Sequence, residues 1–346
     1  MATELLDLDK QIRLKSRLQA VLDEHPFRPA WWLPNPHAQT VWARYQRGSA
    51  MPTFRLERWD TPDDDFLRIH FSEGVPDKPA ALLLHGLEGS IQSPYIVGLA
   101  RNLRAMDWTV AALEFRSCGG EMNRAPRLYH SGETTDIDFV VRGLTERWPG
   151  RPLYIAGYSL GGNVTAKWLG EIGDDAPEEV AAAAVVSAPY RLDESGPFMD
   201  SGVRLVYVRH FLKSLIPKAL VKAEQYPGRI DAEAIRDAKN FEDFDTFGTA
   251  ALHGFRDAKH YYTRSACGQY LDGIRRPTLL LSAADDPFNP GWTLPRDAVE
   301  RSPYLISQFT TRGGHVGFVQ GSRPSRAEYW AEDQIARYFS THAAGV

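Results

Sequence analysis

Cysteine is scarce: Cys118 and Cys267 are the only two in 346 residues. Two thiols cannot build a disulfide framework or a metal cluster of the usual spacing, and such sparse use suits a reducing compartment, with one bridge between them as the open alternative. An excess of one charge is missing too. Lysine and arginine number 40 against 44 acidic residues, for a net charge of -4, so nothing general draws the chain to a nucleic acid. The N-terminal stretch MATELLDLDKQIRLKSRLQAVLDEH lacks an apolar run and carries charges in every turn. It reads as neither a signal peptide nor a membrane span, and the cytoplasm is the expected location. No internal repeat or low-complexity tract is visible. What remains is a globular composition, 43% hydrophobic and 24% charged, which supports a sizeable core and roughly two domains, or one large domain with an insertion.

Short apolar segments divide the chain. TFRLERWDT (53–61) and FLRIHF (66–71), parted by the acidic turn Asp63-Asp64-Asp65, read as an antiparallel hairpin. AALLLH (80–85), WTVAALEF (108–115), PLYIAG (152–157), VAAAAVVSA (180–188), TLLLSA (278–283) and YLISQFTT (304–311) suit strands covered on both faces. Helical patterns fall between them at 94–106, 131–148, 160–171 and 325–341, the second with Ser131 as N-cap and Glu133 in its first turn. This alternation predicts an α/β fold, a mostly parallel central sheet flanked by helices.

From about Tyr190 to Gln269 the alternation stops, and apart from RLVYV no buried strand is readable. We therefore expect residues 190–269 to form a helical cap inserted into a core of 51–189 and 270–346, with 1–50 as an N-terminal arm packed on the body. The first half of that insertion holds Arg204, Arg209, Lys213, Lys218 and Lys222 without an acid, while the half from Glu224 to Asp257 is mostly acidic. Two readings are open: a helix that touches anionic lipid, or, more plainly, basic groups that face solvent or pair with the acidic half.

The strand at 152–157 runs straight into GYSLGGN (157–163) and then a helix. Strand, G-x-S-x-G and helix in that order make a nucleophile elbow, in which Ser159 occupies a sharp turn and glycines at 157 and 161 remove side chains that would collide with the neighbouring elements. A serine hydroxyl is a poor nucleophile at neutral pH, so a base and an acid should follow in the order Ser, Asp or Glu, His. SAADDPFNP ends the strand at 278–283 with Asp285 and Asp286, and TRGGHVGF ends the next with His315 on a glycine loop. Asp286 is chosen to orient His315 because it begins the turn at Pro287; Asp285 is the fallback, and Asp193, after the strand at 180–188, is the third candidate. The oxyanion of an attacked carbonyl would be met by the backbone N–H groups of Leu160, at the helix start, and Leu87, in the glycine-bearing loop HGLEGS (85–90). His85 reads as a brace for that loop rather than as the base, and Glu88 as a bracing or pocket-lining carboxylate.

Several stretches together resemble the YheT-like hydrolases, an α/β-hydrolase group related to the membrane-anchored abhydrolase-domain lipases of animals. They are FRPAWWLPNPHAQT (27–40), HGLEGS (85–90), FRSCGGEMNRAPRLYHSGETTD (115–136), GYSLGGN (157–163), SAADDPF (282–288) and GGHVGF (313–318). The resemblance spans almost the whole chain and implies a triad of Ser159, Asp286 and His315 with esterase or lipase activity. Unlike the animal relatives, the chain is expected to carry no N-terminal membrane helix, which bears on whether it shares their lipid substrates. Cys118 and His130, inside the shared stretch, read as a buried thiol and as the residue before a helix cap. Trp31, Trp32 and Trp42 read as packing for the arm.

The expectation is thus a serine carboxylic-ester hydrolase acting on a small-molecule ester of short to medium acyl chain, with no metal or organic cofactor and no nucleic-acid partner. Its rivals are a lipase or acyltransferase on lipid esters, and a silent scaffold that binds a hydrophobic ligand. A peptidase or an epoxide hydrolase fits less well, the latter because its elbow carries Asp where this chain has Ser159.

Overall fold

Eight apolar segments pair into one sheet in the computed structural model, which describes residues 2–45 and 51–345. The strands are β1 (Arg55–Thr61), β2 (Asp65–Ser72), β3 (Ala80–Leu84), β4 (Thr109–Glu114), β5 (Leu153–Tyr158), β6 (Val180–Val186), β7 (Thr278–Ala283) and β8 (Leu305–Thr310). They lie side by side in the order β1-β2-β4-β3-β5-β6-β7-β8. The first two pairings are antiparallel and all the others parallel. The fold is therefore the α/β arrangement expected from the alternation of strand and helix.

Period-two geometry explains why the central strands are apolar throughout. Ala80, Leu82 and Leu84 of β3 enter one core, while Ala81 and Leu83 enter the other. Helices α4 (Thr135–Arg147) and α5 (Leu160–Ile172) close the first face with Ile137, Val141, Val164 and Leu169. On the second face lie α3 (Pro94–Arg104) and the last helix, α9 (Trp330–Ala343), joined by Leu18 and Leu22 of α1 (Ala2–Asp23). A short helix, α2 (Pro36–Tyr45), follows in the N-terminal segment. The expected boundary at residue 50 and the first residue of the arm lie outside the described residues.

Between β6 and β7 the chain passes through α6 (Leu192–Met199), α7 (Leu205–Gln225), short helical turns and α8 (Ala258–Ser265). Val208, Leu212, Leu215, Ile235 and Phe244 of this segment form an apolar cluster that also takes in Leu128.

Several local expectations are corrected. RLVYV is no strand: Arg204 ends a 3-10 turn and Leu205 starts α7. Helix α4 begins at Thr135, not at 131, because the Ser131 carbonyl accepts from the Asn163 side-chain amide instead of from Thr135, and it is the Glu133 carboxylate that accepts the amides of Thr135 and Asp136. Helix α9 starts late because Glu328–Tyr329 pairs with Val319–Gln320. Lys218 and Lys222 neither face solvent nor pair with the acidic half; they turn toward Glu88 and the Asn123 carbonyl. Trp31 is 78% exposed, whereas Trp32 and Trp42 pack edge to face at 4.7 Å. The two cysteines are free and buried.

A buried charge cluster binds the β1–β2 turn to the start of α4. Arg116 donates through Nε and Nη2 to both carboxylate oxygens of Asp136 at 2.8 Å, and through Nη1 to Asp65 at 2.6 Å. Both carboxylates are deep in the protein. Removing the cation would strand them, which typically costs about 3–5 kcal/mol. Arg116→Leu should therefore lower stability by about that amount, read from urea unfolding at neutral pH; an unchanged midpoint would show that Arg127, which also reaches Asp136, suffices alone.

Candidate active site

Ser159 sits at the carboxyl end of β5 with φ 54° and ψ -116°. A non-glycine residue holds such a backbone only when its surroundings impose it. Its amide is fixed to the Val186 carbonyl of β6 at 2.8 Å, and α5 begins at the next residue. The flanking glycines are sterically required. A Cβ at 157 would lie 2.2 Å from the Gly161 carbonyl oxygen, and one at 161 would lie 2.5 Å from that of His85.

His315 follows β8 on a loop that passes through left-handed backbone at Gly314, Val316 and Phe318. Its Nε2 is 2.9 Å from Ser159 Oγ, and its Nδ1 is 2.9 Å from Asp286 Oδ2. A carboxylate only accepts, so Nδ1 carries the proton and Nε2 offers its lone pair to the serine hydroxyl. The other Asp286 oxygen accepts the amides of Phe288 and Asn289 at 2.7 and 3.2 Å. The neighbouring acid does different work: Asp285 accepts the Gly314 amide at 2.9 Å and so holds the loop, not the ring. Asp193 pairs with Arg191 at the surface and does not approach His315.

On the opposite side of Ser159 runs the loop after β3. A Cβ at Gly86 would stand 3.1 Å from that of Ser159. The Gly86 amide donates to the Tyr95 hydroxyl at 2.9 Å and the Glu88 amide to the Tyr129 hydroxyl at 2.7 Å. Between them the Leu87 amide has no acceptor among the described residues, and the same holds for Leu160 at the helix start, where the peptide dipoles converge. His85 braces this loop: its Nδ1 donates to the Gly86 carbonyl at 2.7 Å and its Nε2 accepts the Phe115 amide at 3.2 Å.

A cavity of about 710 Å³ opens above Ser159, His315, Leu87 and Leu160. Its walls are largely apolar, with Met199, Leu215, Phe244 and Leu252 contributed by the segment between β6 and β7. His130 also lines it, its ring 4.3 Å from that of His253. Cys118 is not among the lining residues; burial pushes its thiol up to about 12. Among the described residues no group of His, Cys, Asp and Glu is placed to hold a metal ion, and no helix is long and apolar enough to cross a membrane.

Some supporting residues carry no chemical signal in the sequence. Thr40 of α2 accepts the His315 amide at 2.9 Å, Gln39 accepts that of Val319 at 2.8 Å, and Phe288 stacks on the His315 ring at 4.1 Å. Both Gln39 and Thr40 fall in the stretch 27–40 that carried part of the family resemblance, which was the only available pointer to them.

A sheet of this order, with a serine on a strained turn at the end of β5, defines an α/β hydrolase. The family model described as the alpha/beta hydrolase fold matches residues 79–321. Within that fold the chain belongs to the YheT-like hydrolases: it is 36% identical to YheT of Escherichia coli (strain K12), over 91% of this chain and 93% of that protein. Phospholipase ABHD3 of Mus musculus is 28% identical over 90% of this chain and 77% of its own length. Among solved structures, the esterase Pf2001 of Pyrococcus furiosus superposes with a TM-score of 0.56 at 16% identity, covering 85% of this chain and 96% of that one. That likeness is one of fold.

The buried histidines make the stability depend on pH. Burial lowers His85 and His253 to about 4 and takes His130 well below its usual range. In the unfolded chain each protonates near pH 6.5, so as pH falls from about 7.5 to 6 the unfolded state gains protons that the folded state refuses. Stability then drops by about 0.8 kcal/mol per histidine. His342, also lowered by burial, adds to the drop, whereas Asp245, raised to about 6 by burial, opposes it at the acid end. The urea midpoint should fall across this window; a constant or rising midpoint would contradict three neutral buried rings.

Proposed function

We propose that this chain is a serine carboxylic-ester hydrolase that works through Ser159, His315 and Asp286 and a covalent acyl-enzyme. The continuous hydrogen-bonded chain from Ser159 Oγ through the His315 ring to Asp286 carries the reading. Ser159 Oγ attacks the ester carbonyl as His315 Nε2 takes its proton. The negative oxygen that forms is met by the N–H groups of Leu87 and Leu160. His315 passes the proton to the departing alcohol, then activates water to release the acid, while Asp286 holds the ring tautomer and stabilises the imidazolium.

In this proposal residues 190–269 act as a cap over the core of 51–189 and 270–346, and 1–50 is an arm that buttresses the His315 loop. The apolar walls favour a short to medium acyl chain as the bound group. YheT is named provisionally as an esterase and ABHD3 as a phospholipase, which keeps lipid esters as the second reading. One surface supports it. Val206, which lines the cavity, is 68% exposed and Val203 69%, while Trp292 at 72% touches Phe198, whose ring lies under the Arg204 guanidinium. With exposed Arg209 and Lys213 on α7 this makes an apolar rim with basic flanks, suited to peripheral contact with an anionic lipid surface.

Hydrolysis of p-nitrophenyl esters from acetate to palmitate tests the main reading. Turnover should peak at one chain length and fall by about 10³-fold or more in Ser159→Ala, with Asp286→Asn losing about 10⁴-fold. Turnover unchanged in Ser159→Ala would remove the serine mechanism; no turnover on any ester would favour a binding scaffold. For the second reading, Val206→Asp with Lys213→Glu should release the protein from phosphatidylglycerol vesicles in a sedimentation assay. Equal sedimentation of wild type with phosphatidylcholine vesicles would show that charge plays no part.

A further inference from the structure

The loop that carries Leu87 is strained. Glu88, the next residue, adopts φ 54°, left-handed backbone that a side chain with Cβ holds only under restraint. Two groups restrain it, and they come from different parts of the chain. The Tyr129 hydroxyl accepts the Glu88 amide at 2.7 Å and returns its own proton to Glu88 Oε1 at 2.8 Å. The same Oε1 accepts from Lys218 Nζ at 2.7 Å. Lys218 lies 130 residues away on α7, in the segment that roofs the cavity. The pair is shielded, with side-chain exposures of 19% for Lys218 and 9% for Glu88, and the ammonium also lies 5.9 Å from the Tyr129 ring centre.

The loop is therefore held at both ends by unlike supports. Gly86 is tied to Tyr95 of α3, which belongs to the body, whereas Glu88 is tied to α7. Leu87 lies between the two ties, its N–H without an acceptor among the described residues. Without Lys218 the Glu88 carboxylate would stay shielded with a single hydroxyl donor, and rotation of the strained residue toward water would relieve both the lost pairing and the backbone. That rotation would move the adjacent peptide.

We propose that Lys218 is a positioning residue: through its ion pair with Glu88, the helix over the cavity fixes the loop that aims the Leu87 N–H, so that the oxyanion donor pair is complete only when α7 is seated. The proposal rests on the serine-hydrolase reading above. An oxyanion donor acts on charge that develops during reaction, so a displaced one should slow turnover and leave ground-state binding alone. Loss of an entire donor costs about 10²–10³-fold in kcat, and a misaimed one should lose part of that, about 10-fold.

The test compares Lys218→Met, Lys218→Arg, Glu88→Gln and the Lys218→Met/Glu88→Gln pair with wild type and Ser159→Ala on the best p-nitrophenyl ester. Amide hydrogen exchange over residues 86–90 is followed in parallel. Lys218→Met should lower kcat about 10-fold with KM within about two-fold, and speed exchange in the loop without a matching change elsewhere. Lys218→Arg should recover most of kcat, and the double variant should be no worse than the poorer single one. Should Lys218→Met not fold, Glu88→Gln carries the same expectation. Unchanged kcat, losses that multiply in the double variant, or an undisturbed loop would overturn the proposal while loss of activity in Ser159→Ala left the serine reading standing. Turnover that survives Ser159→Ala would overturn both.

Discussion

Everything at the candidate site depends on how closely α5 approaches the strand ends. The first turn of the helix meets β3 and β5 so tightly that residues 157 and 161 have room only for hydrogen. This approach forces Ser159 into its left-handed turn, lifts the hydroxyl above the sheet, and leaves the Leu160 amide at the helix start without an acceptor among the described residues. The strain is sustained by the burial of β5 and α5 on both sides, where Val164, Leu169, Ile155 and Tyr158 are almost wholly withdrawn from water. The exposed Ser159 hydroxyl and the open Leu160 amide thus come from one packing constraint.

The remaining groups arrive from the ends of neighbouring strands, and each is fixed by hydrogen bonds unrelated to chemistry. Asp286 is held by two backbone amides, His315 by the Thr40 hydroxyl and the Phe288 ring, and the Leu87 loop by two tyrosines and a lysine. These supports come from the N-terminal segment, the body and the α7 region, so the geometry around one serine is shared across the whole chain. Adjacent acids show how fine this allocation is. Asp285 and Asp286 differ by one position, yet one grips a loop amide and the other the imidazole.

Much of this was legible in sequence. Six apolar runs marked the strands from β3 to β8 because burial between two helical layers demands them, and G-x-S-x-G between a strand and a helix marked the elbow because only glycine tolerates the approach on either side of the serine. Local boundaries were less legible. Ser131 looked like a helix cap, but Asn163, 32 residues later, occupies its carbonyl. RLVYV had the composition of a strand, yet from Leu205 onward it is the first turn of α7. In the first case a distant partner overrode a local preference, and in the second the helix that the residues continue into did.

Sequence alone determined the α/β class, the residue types available for nucleophile, base and acid, and their order along the chain, because these follow from local periodicity and from what each side chain can ionise or donate. It could not bring together groups 29 and 156 residues apart. Tertiary structure decided that Asp286 rather than Asp285 meets the ring. It decided as well that Thr40 holds the loop and that Lys218 turns inward to Glu88 instead of outward to solvent. The physical reason is that hydrogen bonds and ion pairs of this kind depend on angstrom-scale separations, and those separations are set only when the sheet, its helices and the α7 region pack against one another.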